Sequence, residues 1–264
     1  MKITVHCIVK NEDCWVWFAI NSVLPFVEQI LIYDTGSEDK TVDIIKSIKS
    51  PKIIFEEKGS VEAEGLVSLR QEQVNRTETD WFLILDGDEI WPKKQFEILI
   101  KAASKCHQNT PALFNRVRNS IGDVYHYLPE SAGKYEINRM RGNLNIRMIR
   151  KSADLKIIGE YPLESFTNVN GPIDKQKDIK FVDCWYLHTT FLKRSSKDKF
   201  KKSGSFGKKK LWEKGIKLQQ DELPEVFFKK RPEIVQDPLI QRGRLFNLVS
   251  QVTTPLIFLK RKLI

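Results

Sequence analysis

The sequence predicts an α/β protein in which helices cover both faces of a mostly parallel sheet, followed by a mixed second half and a basic helical C-terminal tail. Three observations predict this fold class. Apolar runs without polar alternation alternate with helix-like runs over the first 85 residues, shorter amphipathic runs follow residue 110, and basic residues concentrate after residue 188. With 264 residues, 41% hydrophobic and 30% charged, the chain can bury a core.

The first half is predicted to follow the order β-α-β-α-β-α-β. The predicted strands are residues 3–9, 29–33, 52–56 and 81–85, and the predicted helices are residues 14–23, 41–48 and 66–75. Strands that lack alternation are buried on both faces, and helices of about ten residues separate them, so we expect a parallel sheet. Ligands of such sheets bind beyond the carboxyl ends of the strands.

After residue 110 the apolar runs become short and amphipathic, with turn residues between them. The strand candidates are residues 112–117, 124–128, 144–149 and 179–187. This half is therefore predicted to be antiparallel or mixed.

The net charge of +10 belongs to the end of the chain. Residues 1–188 hold 25 Lys and Arg against 27 Asp and Glu, whereas residues 189–264 hold 19 against 7, a balance of +12. Lysines crowd residues 199–210, where aromatic residues are interleaved with them. Such a segment suits nucleic acid, an anionic membrane surface or a polyphosphate ligand, and a solvated helix face is the simpler interpretation.

The sequence shows no signal-peptide pattern, and its apolar stretches fall far short of the roughly 18 residues that a membrane span needs. The four cysteines form no metal-binding or redox pattern. We therefore expect a cytoplasmic protein with reduced thiols. Residues 241–264 mix apolar and basic side chains, which favours peripheral contact with anionic lipid at the inner face of the membrane. Pro255 is expected to interrupt any single helix there.

Polar residues follow three predicted strands, as Lys10-Asn11-Glu12, Asp34-Thr35-Gly36-Ser37 and Asp86-Gly87-Asp88-Glu89. In an extended chain Asp86 and Asp88 point to the same side, and two carboxylates with open positions beside them suit Mg²⁺ or Mn²⁺. Gly87 is expected to let a ligand approach the backbone. Asp34 either accepts hydrogen bonds from a nucleobase or ribose, or caps the turn that follows it. Carboxylates clustered at one edge repel one another unless a cation and donor groups lie between them.

Together these residues resemble a family 2 glycosyltransferase of the GT-A fold. The resemblance rests on IVKNE at 8–12, DTGSEDKT at 34–41, Arg70 in the third helix and DWFLILDGDE at 80–89, and it covers about the first 100 residues. It implies a GT-A-type, Rossmann-like fold. The nucleotide-sugar-binding half is then residues 1–110, the acceptor-side half residues 111–192, and a basic helical extension residues 193–264.

The resemblance implies inverting, metal-dependent transfer of a sugar from a nucleotide-sugar donor, with a UDP-sugar favoured, to a hydroxyl of a glycan or lipid-linked acceptor. Glycan or cell-envelope polysaccharide synthesis is the expected role. Glu12 and Asp34 are then on the nucleoside, and Asp86 and Asp88 form the DxD motif that holds Mn²⁺ or Mg²⁺ on the diphosphate. The candidate donor-binding residues are Asn11, Glu12, Asp34, Arg70, Asp86 and Arg194.

Two further roles fall on the second half. His188, after the strand at 181–187, is the candidate third metal ligand or a satisfied turn residue. Lys193 and Arg194, with residues 208–210, are expected to contact phosphate oxygens as a lid. The histidine that related sequences carry beside their acidic general base is missing. The base is then either Glu164, after a one-residue shift, or Glu160; Glu164 is favoured, and either could instead be a surface loop carboxylate.

Two other functions compete with this interpretation. Sugar nucleotidylyltransferases share the fold and the aspartate pair, but they need a glycine-rich phosphate loop near the amino terminus, and KNEDCWVW has no glycine. A nucleic-acid-binding protein that uses the basic aromatic tail is the non-enzymatic alternative. The acidic edge predicted in the first half disfavours it, because carboxylates repel phosphate.

Overall fold

The computed structural model describes residues 1–198 and 212–262 of the chain. The first half contains β1 Ile3–Val9, α1 Val16–Val23, β2 Gln29–Asp34, α2 Thr41–Ser47, β3 Ile53–Glu57, α3 Ala63–Asn75, β4 Trp81–Ile84, β5 Glu89–Ile90 and α4 Lys93–Ser104. The second half contains β6 Ala112–Ile121, β7 Asp123–Tyr127, β8 Tyr135–Ile137, β9 Met140–Gly142, β10 Leu144–Arg150, β11 Lys156–Ile158, β12 Ser165–Asn168, β13 Gly171–Pro172, β14 Lys180–His188, β15 Ile216–Lys217 and α5 Arg244–Lys262.

Within the described residues, ten strands form one large sheet in the order β15-β7-β6-β10-β4-β1-β2-β3, with β14 paired to β5 and β6. Strands β4, β1, β2 and β3 are parallel, β10 is antiparallel to both β4 and β6, and β14 is parallel to β6. The carboxyl ends of β1, β2, β4, β6 and β14 therefore lie along one edge, called here the carboxyl edge. The predicted α/β class, with a parallel first half and a mixed second half, is confirmed.

Helices cover both faces of the sheet, as predicted. The alternate side chains Ile3, Val5 and Cys7 of β1 belong to a core that also contains buried residues of α1, α2 and α4. On the opposite face Phe82 of β4 belongs to a second core with Val74 of α3 and residues of β11. Two buried faces explain why the strand sequences lack polar alternation.

The sequence analysis missed helix α4. Its buried residues Phe96, Leu99 and Ala103 are spaced three and four apart, which is the helical pattern. The short strands β8, β9 and β11–β13 were also missed, because each has only two to four residues.

The expectation that Pro255 interrupts the C-terminal helix is wrong, because α5 continues through it. The hydroxyl of Thr254 donates to the carbonyl of Ser250 at 2.6 Å and accepts a hydrogen bond from the backbone N–H of Lys214 at 2.8 Å. The tertiary contact with Lys214 lies immediately before the proline and helps to hold the helix there, where the backbone hydrogen bond that proline cannot make is missing.

Within residues 1–198 and 212–262, no helix combines the length and apolar character needed to cross a bilayer. The lysines at 199–202 and 208–210, on which the lid and the nucleic-acid alternative partly depend, lie outside the described residues.

Candidate functional site

Glu12 and Asp34 both lie at the carboxyl edge, Glu12 three residues beyond the end of β1 and Asp34 as the last residue of the neighbouring parallel strand β2. Both are buried. Asp34 Oδ2 accepts the backbone N–H groups of Gly36 at 3.0 Å and Ser37 at 2.9 Å, so one oxygen caps the turn. Among the described residues, Asp34 Oδ1 and Glu12 Oε2 have no hydrogen-bond partner. Each carboxylate therefore keeps one buried oxygen able to accept a hydrogen bond from a ligand.

Asn11 holds the loop beside these carboxylates. It adopts a left-handed conformation with φ 56°, its N–H donates to Ser37 Oγ at 2.9 Å, and its Oδ1 accepts the Glu38 N–H at 2.8 Å. Gly87 makes room for Glu12, since a Cβ at residue 87 would lie 2.9 Å from Glu12 Cγ. The steric need for glycine thus comes from Glu12, whereas the sequence analysis assigned it to an approaching ligand.

Asp86 and Glu89 share one cation, the guanidinium of Arg147 from β10. Arg147 Nη2 lies 2.6 Å from Asp86 Oδ2 and also contacts the fully buried Glu89 carboxylate, while Arg147 Nε donates to the Tyr186 hydroxyl at 3.3 Å. Burial raises the pKa of Asp86, but the charges of Arg147 and Arg70 outweigh it and hold that pKa below its usual value. Burial raises the pKa of Glu89 to about 7, against the opposing charge of Arg147.

Asp88 faces different partners from Asp86. Strand β4 ends at Ile84 and the chain turns at residues 87–88, so the extended geometry predicted for the two aspartates is not what the structure shows. Asp88 Oδ1 lies 3.3 Å from His188 Nε2, and Asp88 Oδ2 lies 3.9 Å from Arg194 Nε. Burial lowers the pKa of His188, but the neighbouring Asp88 outweighs it, so that pKa is raised above its usual value.

The donor set of the β4–β5 turn and His188 fits a divalent cation only in part. Asp88 and His188 are in contact and present a hard oxygen and an imidazole nitrogen, a pair that Mn²⁺ accepts. Asp86 is directed at Arg147 instead. In the part of the chain that the structure describes, no cluster of three or more His, Cys, Asp or Glu side chains is arranged as a metal site. A cation here would need further ligands from a bound diphosphate or water.

Arg70 and Glu164 form an ion pair beside this cluster. Arg70 Nε lies 3.1 Å from Glu164 Oε1, and both side chains are largely buried. The lowered pKa of Asp86 owes part of its shift to Arg70. Glu160 is exposed, and its carbonyl accepts the N–H of Leu163 at 2.7 Å. Of the two candidate bases, Glu164 is therefore the one that the fold joins to the cluster.

Residues 193–198 cross the site as a strap tied to the loops after β1 and β2. Arg194 contacts the Glu12 carboxylate, and its carbonyl accepts the Cys14 N–H at 3.1 Å. Ser195 Oγ donates to Asp39 Oδ2 at 2.5 Å, and the Ser196 N–H donates to an oxygen of Asp13 at 2.7 Å. Burial lowers the pKa of Arg194. The strap places a guanidinium between Glu12 and Asp88.

The sequence model of glycosyl transferase family 2 matches residues 4–153, which include Glu12, Asp34, Asp86, Asp88 and Arg147. The chain belongs to this family. The resemblance given by the strand-end motifs is thereby confirmed. The match extends past the first 100 residues to β10, the strand that supplies the arginine of the cluster.

Relatives share only part of their length with this family 2 chain. Uncharacterized glycosyltransferases of Rickettsia typhi (strain ATCC VR-144 / Wilmington) and Rickettsia prowazekii (strain Madrid E) are each 31% identical over 88 residues. Those residues are 33% of this chain and 28% of each relative. The crystal structure of S. aureus TarS 1-349 in complex with UDP-GlcNAc has a similar fold, with a TM-score of 0.50 and 15% identity over 72% of this chain and 58% of that chain.

Sequence reasoning missed two side chains of the cluster around Asp86. Arg147 was not assigned to the site, and Tyr186 was not singled out. Tyr186 is fully buried, and its hydroxyl accepts hydrogen bonds from Asn145 Nδ2 at 3.1 Å and from Arg147. The available signal was the arginine itself, which lies between the apolar residues Ile146 and Met148 of a predicted strand, because a buried arginine needs a buried carboxylate partner.

Proposed function

We propose that this chain transfers a sugar from a nucleoside diphosphate sugar, with a UDP-sugar favoured, to a hydroxyl of an acceptor. The observation that carries the proposal is the pair of buried carboxylate oxygens, Glu12 Oε2 and Asp34 Oδ1, for which the described residues supply no donor. A buried acceptor left unpaired costs about 1–3 kcal/mol, which a nucleoside's hydroxyl and N–H groups recover on binding. The UDP-GlcNAc bound by TarS, on a similar fold, supports the choice of a UDP-sugar.

Arg194 is proposed to bind the diphosphate. Its guanidinium contacts Glu12 and lies near Asp88, so a diphosphate entering between these carboxylates meets a cation already in place. Arginine forms paired hydrogen bonds with phosphate oxygens. Binding would then release Glu12 from Arg194 and leave its carboxylate free for the nucleoside. Asn11 would keep the loop in position, and Arg70 would add positive charge beside Asp86.

Asp88 and His188 are the residues we propose to hold Mn²⁺ or Mg²⁺, with Asp86 joining them if it leaves Arg147. Bound on the diphosphate, the ion would neutralise charge that develops on the leaving group. The raised pKa of His188 sets a condition, since a protonated imidazole cannot ligate a metal. Metal binding is therefore expected to release a proton from His188 and to weaken as the pH falls.

Glu164 is the proposed general base, and Glu160 the alternative. In the proposed reaction the base takes the proton of the acceptor hydroxyl while its oxygen attacks the anomeric carbon opposite the leaving diphosphate, which inverts the configuration. Glu164 is favoured because its ion pair with Arg70 holds it beside the Asp86 cluster. The acceptor is proposed to be a glycan or lipid-linked glycan of an envelope polysaccharide, bound by residues 111–192 and used at the inner face of a membrane.

Titration calorimetry of UDP with and without MnCl₂ tests the donor site. We expect Asp34→Asn to weaken UDP binding by about 10-fold or more, because hydrogen bonds to a charged acceptor contribute about 1.5–3 kcal/mol. Asp43→Asn is the matched control, since Asp43 is exposed on α2 and loses the same charge. Wild-type affinity in Asp34→Asn, with both variants equally folded, would remove the nucleoside from this edge.

Release of UDP from the sugar donor, with water as the acceptor, separates the two candidate bases. Glu164→Gln is expected to slow release by about 100-fold, the usual contribution of a general base, while UDP affinity stays within about twofold. Glu160→Gln should leave the rate unchanged. If Glu160→Gln slows release and Glu164→Gln does not, Glu160 is the base. If neither variant slows release, both residues are surface loop carboxylates without a catalytic role.

A further inference from the structure

Helix α5 presents an apolar stripe to solvent. The stripe consists of side chains spaced three or four residues apart, each 57–70% exposed: Leu245, Leu248, Val252, Leu256 and Leu259. At 100° per residue they fall within about a quarter of the helix circumference. Single exposed apolar side chains are ordinary, but five along one face of a helix form a contiguous surface of the kind that marks an interaction site.

The opposite face of α5 is fixed to the rest of the chain. The rings of Phe246 and Trp212 have centroids 5.1 Å apart, and Ser250 is buried. Near the C-terminal end, Arg261 forms two hydrogen bonds of 2.7 Å with the carboxylate of Glu213. Because these contacts hold the inner face, the stripe is oriented outward by the fold.

The charges around the stripe select its partner. The sequence of α5 holds four basic residues and no acidic one. Arg244 and Lys260 are exposed, and helical geometry places them on opposite borders of the stripe. An apolar face bordered by cations matches an anionic bilayer, which takes the apolar side chains below its head groups and pairs the cations with its phosphates and carboxylates. A second copy of α5 would bring the same cations to the same borders, where they repel.

We propose that α5 docks this chain on an anionic membrane surface, with the Leu245–Leu259 stripe buried just below the lipid head groups. The inference stands on the stripe and its charges and does not depend on the donor site. If the proposed lipid-linked acceptor is correct, docking also brings the carboxyl edge to the surface that holds the acceptor.

Co-sedimentation of the full chain with vesicles tests the proposal, using phosphatidylcholine alone and phosphatidylcholine with about 30% phosphatidylserine. We expect binding to the anionic vesicles, weak binding to the neutral ones, and loss of most of the difference when NaCl is raised from about 0.1 to 1 M. Equal binding to both vesicle types, or to neither, overturns the proposal.

Val252→Glu and Gln251→Glu form a matched pair, because both residues are exposed neighbours on α5 and both variants gain one negative charge. Val252 is on the stripe and Gln251 beside it. Val252→Glu is expected to lower vesicle partitioning at least about tenfold below Gln251→Glu, since a carboxylate cannot enter the apolar layer. Equal losses would leave only electrostatic attraction and overturn the stripe's role.

Sedimentation velocity and UDP binding complete the test. A wild-type dimer that Val252→Glu converts to a monomer would assign the stripe to contact between two copies, against the proposal. UDP affinity should remain within about twofold in both variants, because α5 carries none of the donor-site residues. If the wild type binds anionic vesicles but not UDP, the proposed function is wrong and the proposed membrane docking is retained.

Discussion

The two sides of the carboxyl edge differ in how their carboxylates are satisfied. On the side of β1 and β2, Glu12 and Asp34 each keep a buried oxygen without a hydrogen-bond partner in the described chain. On the side of β4 and β5, the carboxylates of residues 86–89 contact cationic or titratable side chains, Arg147 and His188. The β1–β2 side keeps unpaired acceptor oxygens even though Arg194 contacts Glu12, whereas Arg147 and His188 pair with the carboxylates of the β4–β5 side.

This difference indicates which internal contacts must break before a ligand binds to each side. The β1–β2 side needs no internal bond broken around Asp34, so the proposed nucleoside would bind there directly. The β4–β5 side must exchange a partner before any outside cation binds, because buried carboxylates and their cations stabilise each other only as a set. Substitutions on the second side should therefore affect folding first, and substitutions on the first side should affect binding.

The largest effect is expected from Arg147→Met. The substitution leaves Asp86 and the fully buried Glu89 without their cation, and removing one partner of a buried ion pair costs about 3–5 kcal/mol. Urea unfolding followed by circular dichroism measures the loss. Arg150→Met is the control on the same strand, because among the described residues Arg150 donates to the backbone carbonyls of His107 and Thr110 and lies over the Trp81 ring, and its partners include no carboxylate. A similar loss in both variants would show that the buried carboxylates do not depend on Arg147.

A smaller loss of stability is expected from Gly87→Ala. Gly87 lies in the β4–β5 turn and packs against Glu12 of the β1–β2 side. The new Cβ would lie 2.9 Å from Glu12 Cγ and 3.1 Å from Val9 Cγ1, and overpacking of this kind costs about 1–3 kcal/mol. Moving Glu12 should also weaken UDP binding in calorimetry. In Gly243→Ala, the control, the added Cβ meets no described atom within 4 Å. Unchanged stability and UDP affinity in Gly87→Ala would mean that Glu12 moves aside freely and is not held for a ligand.

Much of the first half could be predicted from the sequence. Strand β1 was predicted with its observed bounds, and the other predicted strands and helices of that half differ by one to three residues at their ends. Buried parallel strands lack polar alternation, which makes them easy to recognise. The pairings of β8 with β9 and of β11–β13 could not be predicted, because runs of two to four residues carry no period and depend on what packs beside them.

The candidate site likewise contains residues whose position could be predicted from the sequence and residues whose position could not. Glu12 and Asp34 could be placed together because each follows a parallel strand, and the carboxyl ends of such strands share an edge. The orientation of Asp86 could not be predicted. It depends on β4 ending at Ile84 and on β10 lying antiparallel beside β4. The second feature brings Arg147 Nη2 within 2.6 Å of Asp86 Oδ2. Local spacing predicts which residues reach an edge, whereas their partners depend on the order of the strands.

The smallest loss of stability is expected from substitution in a partly exposed cluster of ion pairs. Lys58 Nζ lies 2.7 Å from Glu56 and 2.9 Å from Glu72, and Arg76 also contacts both carboxylates. The hydrogen bond from Lys58 is the main cause that holds the pKa of each carboxyl below its usual 4.5. A carboxyl whose pKa falls on folding stabilises the protein above its unfolded pKa, and this contribution is lost as the pH drops through the folded value.

Comparison of this cluster with Arg147 separates the effect of pairing from that of burial. Because the carboxylates are about one third exposed, solvent screening limits the contribution of the cluster to less than about 1 kcal/mol. Thermal unfolding between about pH 6 and 3 should show a shallower acid decline in Glu72→Gln than in the wild type, and Glu57→Gln, which removes an exposed pair with Lys46, serves as the control. A loss in Glu72→Gln at neutral pH as large as that in Arg147→Met would make ion pairing, and not the burial of carboxylates, the reason that the β4–β5 side resists change.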